Sequence, residues 1–154
     1  MRLRAWHRAA LALALFGVIS FWLWRLCARD PRVNFLCSRP PAEWIVLPSV
    51  PDLKARLATD LETSFRREFT LSRQPTQAVV SLCAFKQIDL RVNGEQVAAA
   101  SGPNWKRGWS GEIHAHLRPG TNFLEAVVRN SSGPAALWLS LESDAQRLAS
   151  DGSW

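Results

Sequence analysis

Residues 88–98 read Ile88-Asp89-Leu90-Arg91-Val92-Asn93-Gly94-Glu95-Gln96-Val97-Ala98. Ile88, Leu90 and Val92 alternate with Asp89 and Arg91, the period of a strand that buries one face and wets the other. Asn93-Gly94 follows. Both central positions of a type I′ turn need positive φ, and these two residues tolerate it. Glu95–Ala98 is then the return strand, and the stretch predicts an antiparallel hairpin.

The flanking sequence repeats the theme of short apolar runs between turn residues. Trp44–Leu47 is a short strand stopped by Pro48 and Pro51. Ser64–Leu71 puts Phe65, Phe69 and Leu71 on one face and Arg66, Glu68 and Thr70 on the other. Ala78–Phe85 is apolar on both faces and reads as a central strand. Ile113, Ala115 and Leu117 alternate with Glu112, His114 and His116. Asn122–Arg129 and Ala135–Leu141 are further strands, separated by the turn-rich Asn130–Pro134. Residues 52–62 place Leu53, Leu57 and Leu61 at i, i+4 and i+8, the spacing of a helical turn or two. About eight short strands result, which predicts a mainly β chain folded as an antiparallel β-sandwich of jelly-roll type.

The N-terminus reads differently. Residues 1–8 form a positive n-region, and residues 9–24 (AALALALFGVISFWLW) carry no charge. Sixteen helical residues cover about 24 Å, short of the ~30 Å hydrocarbon core. Trp6, Trp22 and Trp24 suit the interfaces, and snorkelling Arg8 and Arg25 complete the span. The expected organisation is a cytoplasmic segment 1–8, a transmembrane signal-anchor helix 9–27, a linker 28–41 with Pro31, Pro40 and Pro41, and the sandwich over 42–154. A cleaved signal peptide is the main alternative, although Leu26-Cys27-Ala28 is a poor small-x-small cleavage site; a buried soluble helix is the other. Arg flanks both ends of the span. The N-terminal amine tips the orientation to N-inside, which places the β domain on the extracytoplasmic, periplasmic side of the cell (inner) membrane.

The net charge of +6 invites a nucleic-acid reading, which its distribution removes. Six Arg against Asp30 give residues 1–32 a net +5, whereas residues 33–154 hold thirteen Lys and Arg against twelve Asp and Glu. No footprint for a phosphate backbone exists in the body of the chain.

Catalytic motifs are missing. There is no GxSxG, no HExxH and no glycine-rich phosphate loop before a helix. Glu43, Asp89, Glu95, Glu112, Glu125 and Glu142 fall mostly on outward parities or turns, and one of the three His lies in the signal region. These 154 residues therefore read as non-catalytic. Binding chemistry concentrates in the loop 101–110. There Trp105 and Trp109 offer indole faces to stack on pyranose rings, and Asn104, Lys106 and Arg107 offer donors to hydroxyls. The competing reading has one Trp closing the end of the core and the cations solvated. Glu112, His114 and His116, about 6.5–7 Å apart along one strand face, form a conceivable ligand set, but the solvated face of an amphipathic strand explains them more simply. No metal or cofactor is assigned, and structural calcium stays open. Arg67 shares the parity of Phe65 and Phe69, so it needs a carboxylate such as Glu62 or Asp60, or a ligand. Cys37 and Cys83 are the only pair wholly within the exported part. A disulfide between them and a simply buried Cys83 both remain open.

Several phrases carry a resemblance when taken in order: Ala42-Glu43-Trp44-Ile45, Phe65-Arg66-Arg67-Glu68-Phe69, Val92-Asn93-Gly94, Asn104-Trp105-Lys106, Leu117-Arg118-Pro119-Gly120-Thr121-Asn122, and Asn130 through Gly133-Pro134-Ala135. Residues 42–154 resemble the galactose-binding-like jelly roll that serves as a sugar-binding domain in family 2 glycoside hydrolases and α-L-rhamnosidases. In architecture, a membrane span followed by such a module is also similar to the start of bacterial membrane glycosyltransferase-like proteins. In such domains a segment like Arg147–Trp154 leads into further strand and loop, so the resemblance implies a fragment of a longer protein or a shortened domain with an unpaired edge. The expected function is a membrane-anchored carbohydrate-binding-like module. It would hold a carbohydrate or lipid-linked sugar and meet the lipid bilayer through residues 9–27. The alternatives are the N-terminal piece of a glycoside hydrolase or glycosyltransferase whose catalytic part lies elsewhere, and a protein–protein adaptor using a sheet edge.

Overall fold

The computed structural model describes residues 2–33, 35–46, 61–101, 104–130 and 134–154. The chain divides into two compact units, Met1–Cys37 and Ser38–Trp154.

In the first unit, α1 runs Arg2–Arg29, longer than the span expected at 9–27. None of its apolar stretch, Trp6–Arg29, is buried within the protein. Leu13 and Phe16 are 72% and 69% exposed. The helix is long and apolar enough to cross a membrane, a property that anchors share with signal sequences.

The second unit is built from nine strands among the described residues: β1 (Ile45–Val46), β2 (Leu61–Leu71), β3 (Ala78–Ala84), β4 (Gln87–Val92), β5 (Glu95–Ser101), β6 (Trp109–Glu112), β7 (Gly120–Asn130), β8 (Ala136–Ser143) and β9 (Arg147–Ala149). They form two antiparallel sheets. One has the order β1-β8-β3-β6, with β9 also against β8; the other has the order β2-β7-β4-β5. The chain is a β-sandwich, as its alternation predicts. Val80, Leu82, Leu137, Leu139 and Leu141 from the first sheet meet Leu90, Val92, Leu124, Ala126 and Val128 from the second. Burying each such Leu or Val fully contributes about 1.5–3 kcal/mol. The central placement expected of Ala78–Phe85 holds, since β3 lies between β8 and β6. The predicted hairpin forms as well: Asn93 (φ 52°) and Gly94 (φ 89°) turn β4 into β5.

Other expectations need correction. Ile113–Leu117 is no strand. The strand is β6, just upstream, and His114–His116 forms a 3₁₀ turn. A 3₁₀ turn takes the two imidazoles off a shared strand face. His116 Nδ1 instead pairs with Glu95 Oε2 at 2.8 Å, and His114 Nδ1 lies 3.0 Å from Glu112 Oε1. The helical turn over 52–62 lies outside the described residues except for Leu61 and Glu62, which open β2. Arg67 does not take Glu62, which pairs with Arg129 at 2.6 Å; its Nη1 donates to Ser153 O (2.9 Å) and Ser153 Oγ (2.7 Å), and Asp60 lies outside the described residues. Cys83 is a buried thiol.

Residues 147–150 add order that the alternation did not signal. β9 pairs with β8, and fully buried Ser150 then ties three segments together. Its N–H donates to Leu139 O (2.8 Å), its Oγ accepts from Leu139 N (3.0 Å) and donates to Glu43 O (2.6 Å), and its carbonyl accepts from Glu43 N (2.8 Å). The segment 39–44 is thereby held against the outer side of the sheet, where Ala42 packs with Cys83 and Trp138.

Candidate functional site

The loop singled out from sequence lies at the end of the sandwich where β3 passes into β4 and β6 begins. Asn104 organises it, with Oδ1 accepting from Lys106 N (3.1 Å) and its carbonyl accepting from Arg107 N (3.2 Å). Gly108 (φ 71°) brings the loop onto β3 so closely that a Cβ there would sit 2.6 Å from Cys83 Sγ and 2.8 Å from Leu82 O. Glycine is required for both its conformation and its lack of a side chain.

The loop's residues divide between support and surface. Trp105 is buried, edge-on to Phe85 with ring centroids 4.7 Å apart and to Trp44 at 6.0 Å. Only 8% of its surface is exposed. Lys106 is also buried, with Nζ 5.2 Å from the Trp105 ring centre, a cation–π contact. Arg107 is exposed, and Asn104 and Trp109 are half-buried. Trp109 packs on the edge of the core and its ring covers Gly111.

A shallow cleft of about 80 Å³ opens here, lined by Leu82, Ala84, Ile88 and Trp105 beneath and by Lys86, Asn104 and Trp109 above. Lys86 was not singled out from sequence. It sits at positive φ (81°) in the two-residue turn between β3 and β4. The gap Phe85-Lys86 between two apolar runs is the signal that would have found it. Arg39 was likewise missed. Its Nη1 donates to Cys83 Sγ (2.8 Å) and its Nη2 to Lys106 O (2.5 Å), pinning the cleft wall from below. Burial pushes the Cys83 thiol up, and the nearby Arg39 guanidinium only partly offsets that. A neutral, buried thiol is a wall component, not a nucleophile.

The volume falls well below the roughly 300–1,000 Å³ of an enclosed small-molecule pocket. Such a cleft can grip one edge or face of a sugar but not surround it. Among the described residues no group of three His, Cys, Asp or Glu is placed to hold a metal ion.

No family model matches the chain, and no curated protein does. Solved structures match. An α-L-rhamnosidase from Streptomyces avermitilis, complexed with L-rhamnose, superposes with a TM-score of 0.62 at 25% identity, over 73% of this chain and 12% of that one. The β unit has the galactose-binding-like fold. A GH78 family rhamnosidase of Bacillus sp. GL1 shares this sandwich with a TM-score of 0.59 at 22% identity, over 77% of this chain and 13% of the enzyme. A Pleurotus ostreatus lectin in complex with GalNAc shares it with a TM-score of 0.53 at 20% identity, over 73% and 34%. The chain thus spans only 12–13% of the two rhamnosidases. None of the three is a glycosyltransferase, and that expectation gains no support from them.

Proposed function

We propose that this galactose-binding-like unit binds carbohydrate without converting it, through the cleft between Lys86 and the loop 104–109, and that α1 holds it at the outer side of a cell membrane. The observation that carries this reading is the half-exposed Trp109 beside Asn104 and Lys86 on an apolar floor, with Arg107 exposed in the same loop. Sugar recognition combines an aromatic plane with hydroxyl-directed donors, and these groups supply both. The likeness to sugar-processing enzymes and a lectin supports the class of ligand. Trp105 and Lys106, proposed from sequence as ligand contacts, are reassigned to supporting the loop from within.

A glycan array probed with the full-length chain in detergent tests the reading. At least one glycan is expected to bind. Trp109→Ala should then weaken it about tenfold or more, a loss of about 1.4 kcal/mol, and Arg107→Ala less. Absence of any bound glycan overturns the proposal, as does unchanged affinity in both variants. A second reading, favoured by the rhamnosidase matches, makes the unit an accessory domain of a glycoside hydrolase whose catalytic part lies outside these residues. Coding sequence for a catalytic barrel beyond codon 154 would establish it.

A further inference from the structure

Trp22, Arg25, Leu26 and Arg29 fall at i, i+3, i+4 and i+7 of α1 and share one face at its C-terminal end. The chain then turns: Asp30 N donates to Leu26 O (3.1 Å), and Val33 N donates to Asp30 O (3.2 Å). The helix face and residues 30–32 together line a cleft of about 490 Å³. That is the size of a small-molecule site, roughly 300–1,000 Å³.

Its charge is lopsided, with Arg25, Arg29 and Arg32 against Asp30 alone, a formal +2. Asp30 is engaged by Arg32, whose N–H (2.9 Å), Nε (3.2 Å) and Nη2 (3.2 Å) all donate to its carboxylate. The rest of the lining, Trp22, Leu26 and Pro31, is apolar or aromatic. Offsetting the partial negative charge of a helix C-terminus takes one cation in the last turn, and Arg29 stands there. Arg25, a full turn earlier, is surplus to that need.

We infer that this cleft binds the phosphate group of an anionic membrane lipid. The inference rests on the reading that α1 lies in a bilayer. In that setting Trp22 sits in the interfacial aromatic belt, and Arg25 and Arg29 lie at the depth of the headgroup phosphates. Guanidinium groups grip phosphate through paired N–H donors, and Trp22 and Leu26 cover the glycerol and the first acyl carbons. A ligand with both an anionic head and an apolar stem fits both halves of the lining. Free phosphate would use only one.

The test is reconstitution of the full-length chain in phosphatidylcholine vesicles doped with phosphatidylglycerol. Flotation is followed by mild detergent extraction and native mass spectrometry. The wild type should float and carry retained phosphatidylglycerol. The double variant Arg25→Gln/Arg29→Gln should float equally but retain about tenfold less, whereas Arg8→Gln at the opposite flank should retain the wild-type amount. Failure of the wild type to float would remove the membrane reading and this inference with it. Flotation with equal retention in all variants, or an equal loss in Arg8→Gln, would overturn the site while leaving the membrane reading standing. Release of the lipid by millimolar inorganic phosphate would overturn the assignment to an amphiphile.

Discussion

The two ends of β4 are finished in opposite ways. At its C-terminal end two asparagines cross-link the turns that leave it. Asn93 Nδ2 donates to His116 O (2.8 Å) and Asn122 Oδ1 (2.9 Å), and its Oδ1 accepts from Phe123 N (3.0 Å). Asn122, fully buried, donates to Arg118 O (2.7 Å) and Gly120 O (3.0 Å), and accepts from Arg118 N (3.0 Å). Asp144 fastens the same end of the other sheet to residues 73–77. At its N-terminal end β4 begins beside a cleft with half-exposed side chains and a loop resting on glycine. The contrast separates holding from binding. The Asn93 and Asn122 amides are spent on holding the fold, whereas the looser end has Asn104, Arg107 and Trp109 at its surface.

The contrast makes measurable demands. Asn122→Leu should have the largest effect, because it strands several buried polar partners at about 1–3 kcal/mol each. A fall of about 3–5 kcal/mol in unfolding free energy is expected, read from denaturant titration, with glycan binding retained by the folded fraction. A loss below about 1 kcal/mol would mean that the network is ornamental. Gly108→Ala comes next. Positive φ and the collision with Leu82 O should cost about 1–3 kcal/mol, and here glycan affinity should fall too, because the cleft wall moves. If stability falls and affinity does not, the cleft is misplaced.

The smallest effect is a pH dependence at the closed end. Partial burial pushes the Asp144 carboxyl up, but hydrogen bonds from Thr76, Gln77 N–H and Arg73, with the Arg73 charge, outweigh it and hold it below the usual carboxylate range. A lowered folded-state value means that its stabilisation is present above the unfolded value of about 3.9 and is lost as pH falls through the folded one. Asp144→Asn should therefore lower the melting temperature near neutral pH and make the acid decline shallower. A parallel downward shift at all pH values would show that the charge is not what matters.

How much of this was legible beforehand depended on whether the signal was local. The 88–98 hairpin, the central β3 and the apolar helix follow from periodicity and turn chemistry within a dozen residues. The phrases that carried the family resemblance were also real, but as fasteners. The Asn of Leu117–Asn122 closes its own turn and clamps Asn93, and Asn130 donates to Pro134 O at 3.0 Å. Asn93 therefore both makes the hairpin turn and fastens its neighbours. Ile113–Leu117 misled because its alternation is equally compatible with a 3₁₀ turn that buries Ile113 and Leu117 and leaves the histidines outside. Loop membership alone could not say which tryptophan was covered.

Local chemistry along the chain was enough to establish a greasy N-terminal helix and an antiparallel β body, because backbone periodicity and turn preference act over a few residues. Distant contacts settled the rest. Arg39 reaches Lys106, Ser150 joins Glu43 to Leu139, and Phe85 and Trp44 cover Trp105. Each depends on strands far apart in sequence being brought side by side, and burial of a given indole or guanidinium is a property of that assembly, not of its neighbours in the chain.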